Sequence, residues 1–233
     1  THLETVMGRY RGKSDSWDVL NEFVEVEDPG YRHTKYTEVL GPDYPIRLFK
    51  LAASYDPNAK LTYNDFGVEQ KDRREKILAF LNKLQDEGCR VDVVGSQSHL
   101  EIGNSIGDEI ANTINEFSKI GVKCAFTELD VDVVPRRGFW NAKTREETIK
   151  SDPYANGCPD EVLQKQAEVY SDVMTAVAEN RKWVDRVTFW GLDDGHSWLN
   201  KWPWKRYNHG LLFDRDFDEK PAFQAVHKAL SAA

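Results

Sequence analysis

Five times along the chain a short β-branched or apolar run ends in polar residues and gives way to a helix-like stretch. This is the alternation of parallel βα units, and it constrains the fold more tightly than any other feature of the sequence. The first run, Ser16 to Leu20, ends at Asn21 and Glu22, and its helix is Ile46 to Tyr55, stopped by Asp56 and Pro57. The second, Lys60 to Tyr63, ends at Asn64 and Asp65; the helix after it, Arg73 to Glu87, carries Ile77, Leu81 and Leu84 on one face. The third, Val91 to Gly95, ends at Gln97 and His99 and precedes a helix with Ile106, Ile110, Ile114 and Phe117 at helical spacing. The fourth, Val122 to Thr127, ends at Glu128, Asp130 and Asp132, and after a long polar loop Pro159 opens a helix carrying Leu163, Ala167, Tyr170, Met174 and Val177. The fifth, Arg186 to Trp190, leads through a tryptophan-rich loop to a helix from Pro221 to Leu230.

Every run delivers its polar residues at its C-terminal end, where both (β/α) barrels and open α/β sheets assemble their sites. An open sheet with a nucleotide site needs a glycine-rich first turn, and the chain has neither GxGxxG nor GxxxxGK[ST]. The expectation is therefore a (β/α)8 TIM barrel. Such a barrel has eight units, so this chain is expected to supply the last five, strands four to eight. Residues 1–233 then form the C-terminal part of one catalytic barrel, with the first three βα units not in this chain and an upstream segment or separate chain completing it.

Composition narrows the partners. The formal charge of −8 opposes nucleic acid and anionic membrane surfaces, no run of Lys or Arg stands out, and no apolar run reaches the length of a membrane span. The start of the chain lacks the pattern of a signal peptide. Three cysteines, Cys89, Cys124 and Cys158, are too few for a disulfide framework, the six histidines show no ligand spacing, and neither GxSxG nor HExxH is present. Neither a metal nor a cofactor is expected.

Two carboxylates stand out, Glu22 in WDVLNE and Glu128 in TELDV, both at strand ends. Glycoside hydrolysis requires such a pair, one to protonate the leaving oxygen and one to meet the charge developing at the sugar carbon. Asn21 beside Glu22 can hydrogen-bond a sugar hydroxyl, while Gln97, His99 and Asp130 could surround Glu128. Four tryptophans, Trp190, Trp198, Trp202 and Trp204, crowd one polar stretch. Indoles in a cleft stack on the apolar faces of sugar rings, so carbohydrate is the natural ligand.

These residues resemble the family 10 glycoside hydrolases, mostly retaining endo-β-1,4-xylanases on a (β/α)8 barrel. The resemblance runs through GRYRGKSDSWDVLNE, DPNAKLTYNDF, GSQSHL, TELDV, FWGLDDGHSW and LLFDRDFDEKPAF, in the family's order. It implies that Glu22 is the general acid/base and Glu128 the nucleophile. Asn21, Gln97, His99, Trp190 and Trp198 would bind substrate, with Asp130, Tyr63 and Asn64 in support. The carboxyl groups of Glu22 and Glu128 are expected roughly 5 to 5.5 Å apart, with Glu128 ionised and Glu22 protonated. The partners implied are xylan and xylo-oligosaccharides, with or without carbohydrate-binding modules inserted upstream, and the location is secreted, periplasmic or at the cell surface. A xylan-binding or inactive fragment, or a related hydrolase of β-1,4-glucan or mannan, is the alternative. One departure is local: where the family reads YNDYN, this chain has Tyr63, Asn64, Asp65, Phe66 and Gly67, so an acceptor-side hydroxyl and amide are absent.

Overall fold

A computed structural model describes residues 2–103, 105–134, 153–202 and 205–232. In chain order the elements are α1 (His2–Tyr10), β1 (Ser16–Asn21), α2 (Lys35–Leu40), α3 (Tyr44–Tyr55), β2 (Lys60–Asp65), α4 (Lys71–Asp86), β3 (Val93–Ser96), β4 (His99–Glu101), α5 (Gly107–Lys119), β5 (Lys123–Asp132), α6 (Asp160–Glu179), β6 (Val184–Phe189) and α7 (Pro221–Ser231). They form two compact units, one of residues 1–97, 112–127 and 182–186, the other of residues 98–111, 128–181 and 187–233.

In the first unit β1, β2, β3 and the start of β5 pair in parallel in that order. The pairing of Asn21 with Asn64, and of Asn64 with Gly95, lines up the polar ends of three strands. Phe49 and Ala52 of α3, Ile77, Leu81 and Leu84 of α4, and Ile114 and Phe117 of α5 are fully buried together with Leu61, Val93 and Ala125 of the strands. Each helix thus buries one apolar stripe, which is what holds a βα layer together. Gly95 is required by close approach: a Cβ there would stand 2.3 Å from Asn64 Oδ1 and 2.9 Å from Thr127 Cγ2.

In the second unit β4 runs parallel to the end of β5, pairing His99 with Asp130. Trp190 N–H donates to Leu129 O at 3.0 Å, setting the end of β6 beside β5. Helices α6 and α7 pack on one another, with Tyr170, Val173, Met174, Ala222 and Val226 buried.

The expected units are present with shifted boundaries. Strand β5 does not stop at Thr127 but continues to Asp132, because β4 supplies a partner for its second half. With a side-chain period of two, Glu128, Asp130 and Asp132 then share one face of a strand instead of scattering along a loop. Helix α2 was not expected. Its box joins Thr34 and Thr37, so the usual Glu or Gln signal is missing, and only Thr37 of its six residues is buried. Helix α3 begins at Tyr44 because Pro45 fits the first turn. The long polar loop before Pro159 lies largely, and Trp204 wholly, outside the described residues.

Candidate active site

The first unit gathers Asn21, Glu22, Tyr63, Asn64 and Gln97. Glu22 follows β1 with φ at +54°, a left-handed conformation that a non-glycine residue adopts only when its surroundings hold it there. Three contacts do so. Glu22 N–H donates to Asn64 O at 2.8 Å, and the next two amides, Phe23 and Val24, donate to the fully buried Tyr63 hydroxyl at 3.2 and 3.0 Å. Burial pushes the Tyr63 phenol well above its ordinary value, so it stays protonated and donates to Asp65. Tyr63 therefore supports the chain behind Glu22 from the core.

The polar ends are tied to one another. Asn64 Nδ2 donates to Asn21 Oδ1 at 2.9 Å, and Thr127 Oγ1 donates to Asn64 Oδ1 at 2.6 Å. Gln97 Nε2 donates to Glu22 Oε1 at 3.0 Å and lies 3.4 Å from Asn21 Oδ1. Gln97 thus stands with Glu22 and Asn21 in this unit. Arg32, which the sequence reading did not single out, donates from NH1 to Glu22 Oε2 at 2.5 Å and from Nε to Glu25 Oε1 at 3.1 Å. Partial burial raises the Glu22 pKa, but the hydrogen bonds from Gln97 and Arg32, the Arg32 charge and Asn21 together outweigh it, and the net shift is downward. This direction is opposite to the expected raised pKa of Glu22: Gln97 and Arg32 favour its carboxylate form.

Phe66 and Gly67, where the chain departs from the family pattern, are accommodated locally. The Arg73 guanidinium lies 3.8 Å from the Phe66 ring centroid. Gly67 has φ at +61°, and a Cβ there would come within 3.3 Å of the Gln70 side chain.

The second unit gathers His99, Glu128, Asp130, Trp190 and Trp198. His99 Nε2 lies 3.1 Å from Glu128 Oε2 and Nδ1 lies 3.0 Å from Asp130 Oδ1. Burial alone would lower the His99 pKa, but the hydrogen bonds and charges of Asp130 and Glu128 overcome it and raise it from 6.5 to about 9. At neutral pH the ring is an imidazolium donating to both carboxylates. Asp130, fully buried, takes a further bond at 2.6 Å from Trp198 Nε1. The Trp198 ring lies 4.8 Å from the His99 ring and 4.9 Å from that of Trp202. Trp190 is 45% exposed.

The loop that carries Trp198 is fastened to Asp132, a strand-end residue given no role in the sequence reading, by Arg206 and Asn208. Asp132, two residues beyond Asp130 on the same face of β5, accepts from Arg206 NH1 and NH2 at 3.1 and 2.6 Å and from Asn208 Nδ2 at 2.7 Å. Arg206 Nε also donates to Leu199 O at 3.0 Å. The available signal was the polar–apolar alternation from Glu128 to Val133, which marks a strand with a carboxylate row along one side.

Comparison with known proteins supplies the family. The chain is 37% identical to endo-1,4-beta-xylanase A of Xylanibacter ruminicola, over 97% of this chain and 63% of that protein. It is 33% identical to an endo-1,4-beta-xylanase of Geobacillus stearothermophilus, over 97% and 66%. Among solved structures, an endoxylanase retrieved from a sugarcane soil metagenome superposes with a TM-score of 0.87 at 36% identity, covering 99% of this chain and 66% of that one. Xylanase 10B from Thermotoga petrophila, solved in complex with xylobiose, gives 0.84 at 28% identity, over 99% and 64%. The chain thus spans somewhat less than two thirds of the length of such relatives. The model of glycosyl hydrolase family 10 matches residues 1–229, and the chain belongs to that family, whose fold is a (β/α)8 barrel of which it supplies a part.

Proposed function

We propose that the protein cleaves internal β-1,4-xylosidic bonds of xylan with retention of configuration, Glu128 acting as nucleophile and Glu22 as general acid/base. The observation that carries this is the His99 imidazolium bonded at 3.1 Å to Glu128, in a chain whose relatives are endoxylanases. A carboxylate oriented by a cation on one oxygen can present the other to the anomeric carbon. As the C–O bond breaks, the leaving oxygen takes the proton of Glu22 and a glycosyl ester forms on Glu128. Glu22, now a carboxylate, takes a proton from water, which attacks the same carbon and releases Glu128. Because Gln97 and Arg32 favour the Glu22 carboxylate, Glu22 takes up a proton from solvent before the first step, whereas the second uses it as found. Asn21 and Gln97 meet sugar hydroxyls, and Trp190 and Trp198 present ring faces to the pyranose. The upstream βα units complete the cleft, and the protein works outside the cytoplasm, where the polymer is.

The test is a pair of variants in the full-length protein. Glu128→Gln is expected to abolish turnover of xylan and aryl glycosides alike, while Glu22→Ala spares a dinitrophenyl xylobioside, which departs without a proton. Equal loss on both substrates in Glu22→Ala refutes the acid/base role, and a first-formed α-anomer in the proton NMR spectrum refutes retention. Preferred release from β-1,4-glucan or mannan would move the substrate, and binding of xylan without release would remove the activity.

A further inference from the structure

The chain after β1 turns back on itself. Val24 bridges Tyr31 in an antiparallel pair, Glu25 N–H donates to Gly30 O at 3.2 Å, and Arg32 N–H donates to Phe23 O at 2.7 Å. This short hairpin, turned through Asp28, Pro29 and Gly30, returns Arg32 to the side of the residue that opened it. There one guanidinium is shared between two carboxylates, Glu22 at 2.5 Å and Glu25 at 3.1 Å, with its carbon 5.8 Å from the Phe66 ring centroid. Gln97 takes the other Glu22 oxygen, so both oxygens of the carboxyl group are claimed.

We propose that Arg32, anchored by Glu25, is a positioning residue for Glu22: it fixes the carboxyl rotamer and opposes its protonation, so that it limits how far into alkaline pH the proton-donating step persists. This rests on Glu22 being the acid/base. The planar fork of Arg32 suits the task, since it binds two carboxylates side by side and never loses its proton. In this unit the charged groups around Glu22 are Arg32 and Glu25 of the hairpin, Arg73 of α4, whose NH2 lies 3.8 Å from Glu25 and 3.3 Å from Asp65, and Asp65 of β2; Asn21, Asn64 and Gln97 are neutral. Arg32 is the one cation bonded to Glu22 among the described residues. The downward net shift of the Glu22 pKa, with Arg32 among its causes, agrees with this geometry.

The experiment is the pH profile of kcat/KM on xylan for the full-length wild type, Arg32→Gln and Arg32→Lys, with Glu22→Ala as reference. Removing the cation lets Glu22 keep its proton to higher pH, so the alkaline limb of Arg32→Gln should move upward by on the order of one pH unit, whereas Arg32→Lys keeps the wild-type limb. An Arg32→Gln limb that superimposes on the wild type overturns the proposal. Survival of the limb in Glu22→Ala is a different result and overturns the acid/base assignment itself. A measurement that needs no Arg32 variant is the carbon-13 titration of the glutamate carboxyls in the wild type, the Glu22 signal being identified by its loss in Glu22→Ala. Titration below the ordinary glutamate range supports the proposal, and titration at or above it overturns it.

Discussion

Raising the pH is the sharpest perturbation of the trio formed by Asp130, His99 and Glu128. His99 has a folded-state pKa of about 9 against 6.5 for the free side chain, so its protonated form is favoured by the native contacts by about 3 kcal/mol. A histidine whose pKa is raised on folding contributes stability that is fully present below 6.5 and is lost as the pH rises through about 9. The two halves of the effect can be measured separately. Nitrogen-edited NMR of the imidazole should show both ring nitrogens protonated at pH 7, with a single titration midpoint near 9. Unfolding free energy, from denaturant titrations of the full-length protein, should fall across the same window. Asp130→Asn removes one of the two charges that raise the pKa and should bring the midpoint down. A neutral His99 at pH 7, with one nitrogen unprotonated, would refute the reasoning, because the two short contacts would then be made by a single N–H.

Three further perturbations follow from named contacts. Trp190→Ala should cut xylan turnover far more than Trp202→Ala, since Trp190 is exposed at the end of β6 while Trp202 packs at a tilt against Trp198; similar kcat/KM values for the two would contradict this. Arg206→Met takes the guanidinium from the buried Asp132 and should lower the unfolding free energy by about 3 to 5 kcal/mol, and an unchanged melting temperature would mean that the remaining donors, Asn208 and the Val134 amide among them, satisfy that carboxylate. Gly95→Ala puts a methyl 2.3 Å from Asn64 Oδ1, breaking the tie between Asn64 and Asn21, and should reduce xylan turnover together with stability; a fully active variant would show that Asn64 does not position Asn21.

Much of this arrangement can be read from the sequence, and the failures share a cause. The helices α4, α5 and α6 repeat apolar residues at the helical period because each buries one stripe, and that pattern survives without any knowledge of partners. Glu22 and Glu128 stand out because they end apolar runs. The extension of β5 was missed since charged residues read as the end of a strand when nothing is known of a neighbour; here β4 and the Arg206 guanidinium neutralise what would otherwise be costly burial. Arg32 was missed for a related reason. Its position depends on a hairpin whose only local mark is the Asp28-Pro29-Gly30 turn, and its meaning depends on Glu22, ten residues earlier. Charge pairing across a turn leaves no period in the sequence.

Each proposed catalytic carboxylate is the outer member of a carboxylate–cation–carboxylate trio: Glu25, Arg32 and Glu22 in one unit, Asp130, His99 and Glu128 in the other. The trios differ in one respect that pH can expose. Arginine keeps its charge throughout, so Glu22 is set by its own ionisation, which lies below its ordinary value. Histidine can let go, and does so near 9. On the proposed mechanism, cleavage of xylan needs the Glu22 proton and should therefore lose kcat/KM early on the alkaline side, well before His99 titrates. An activated aryl xylobioside needs no proton, so the formation of its glycosyl-enzyme should pass through neutral pH undiminished and fall only as His99 is lost, near 9. The comparison is made on one enzyme preparation with two substrates, which removes folding differences between variants. A common alkaline limb for xylan and the aryl glycoside would mean that one group governs both, and the division of labour between the two trios would fall.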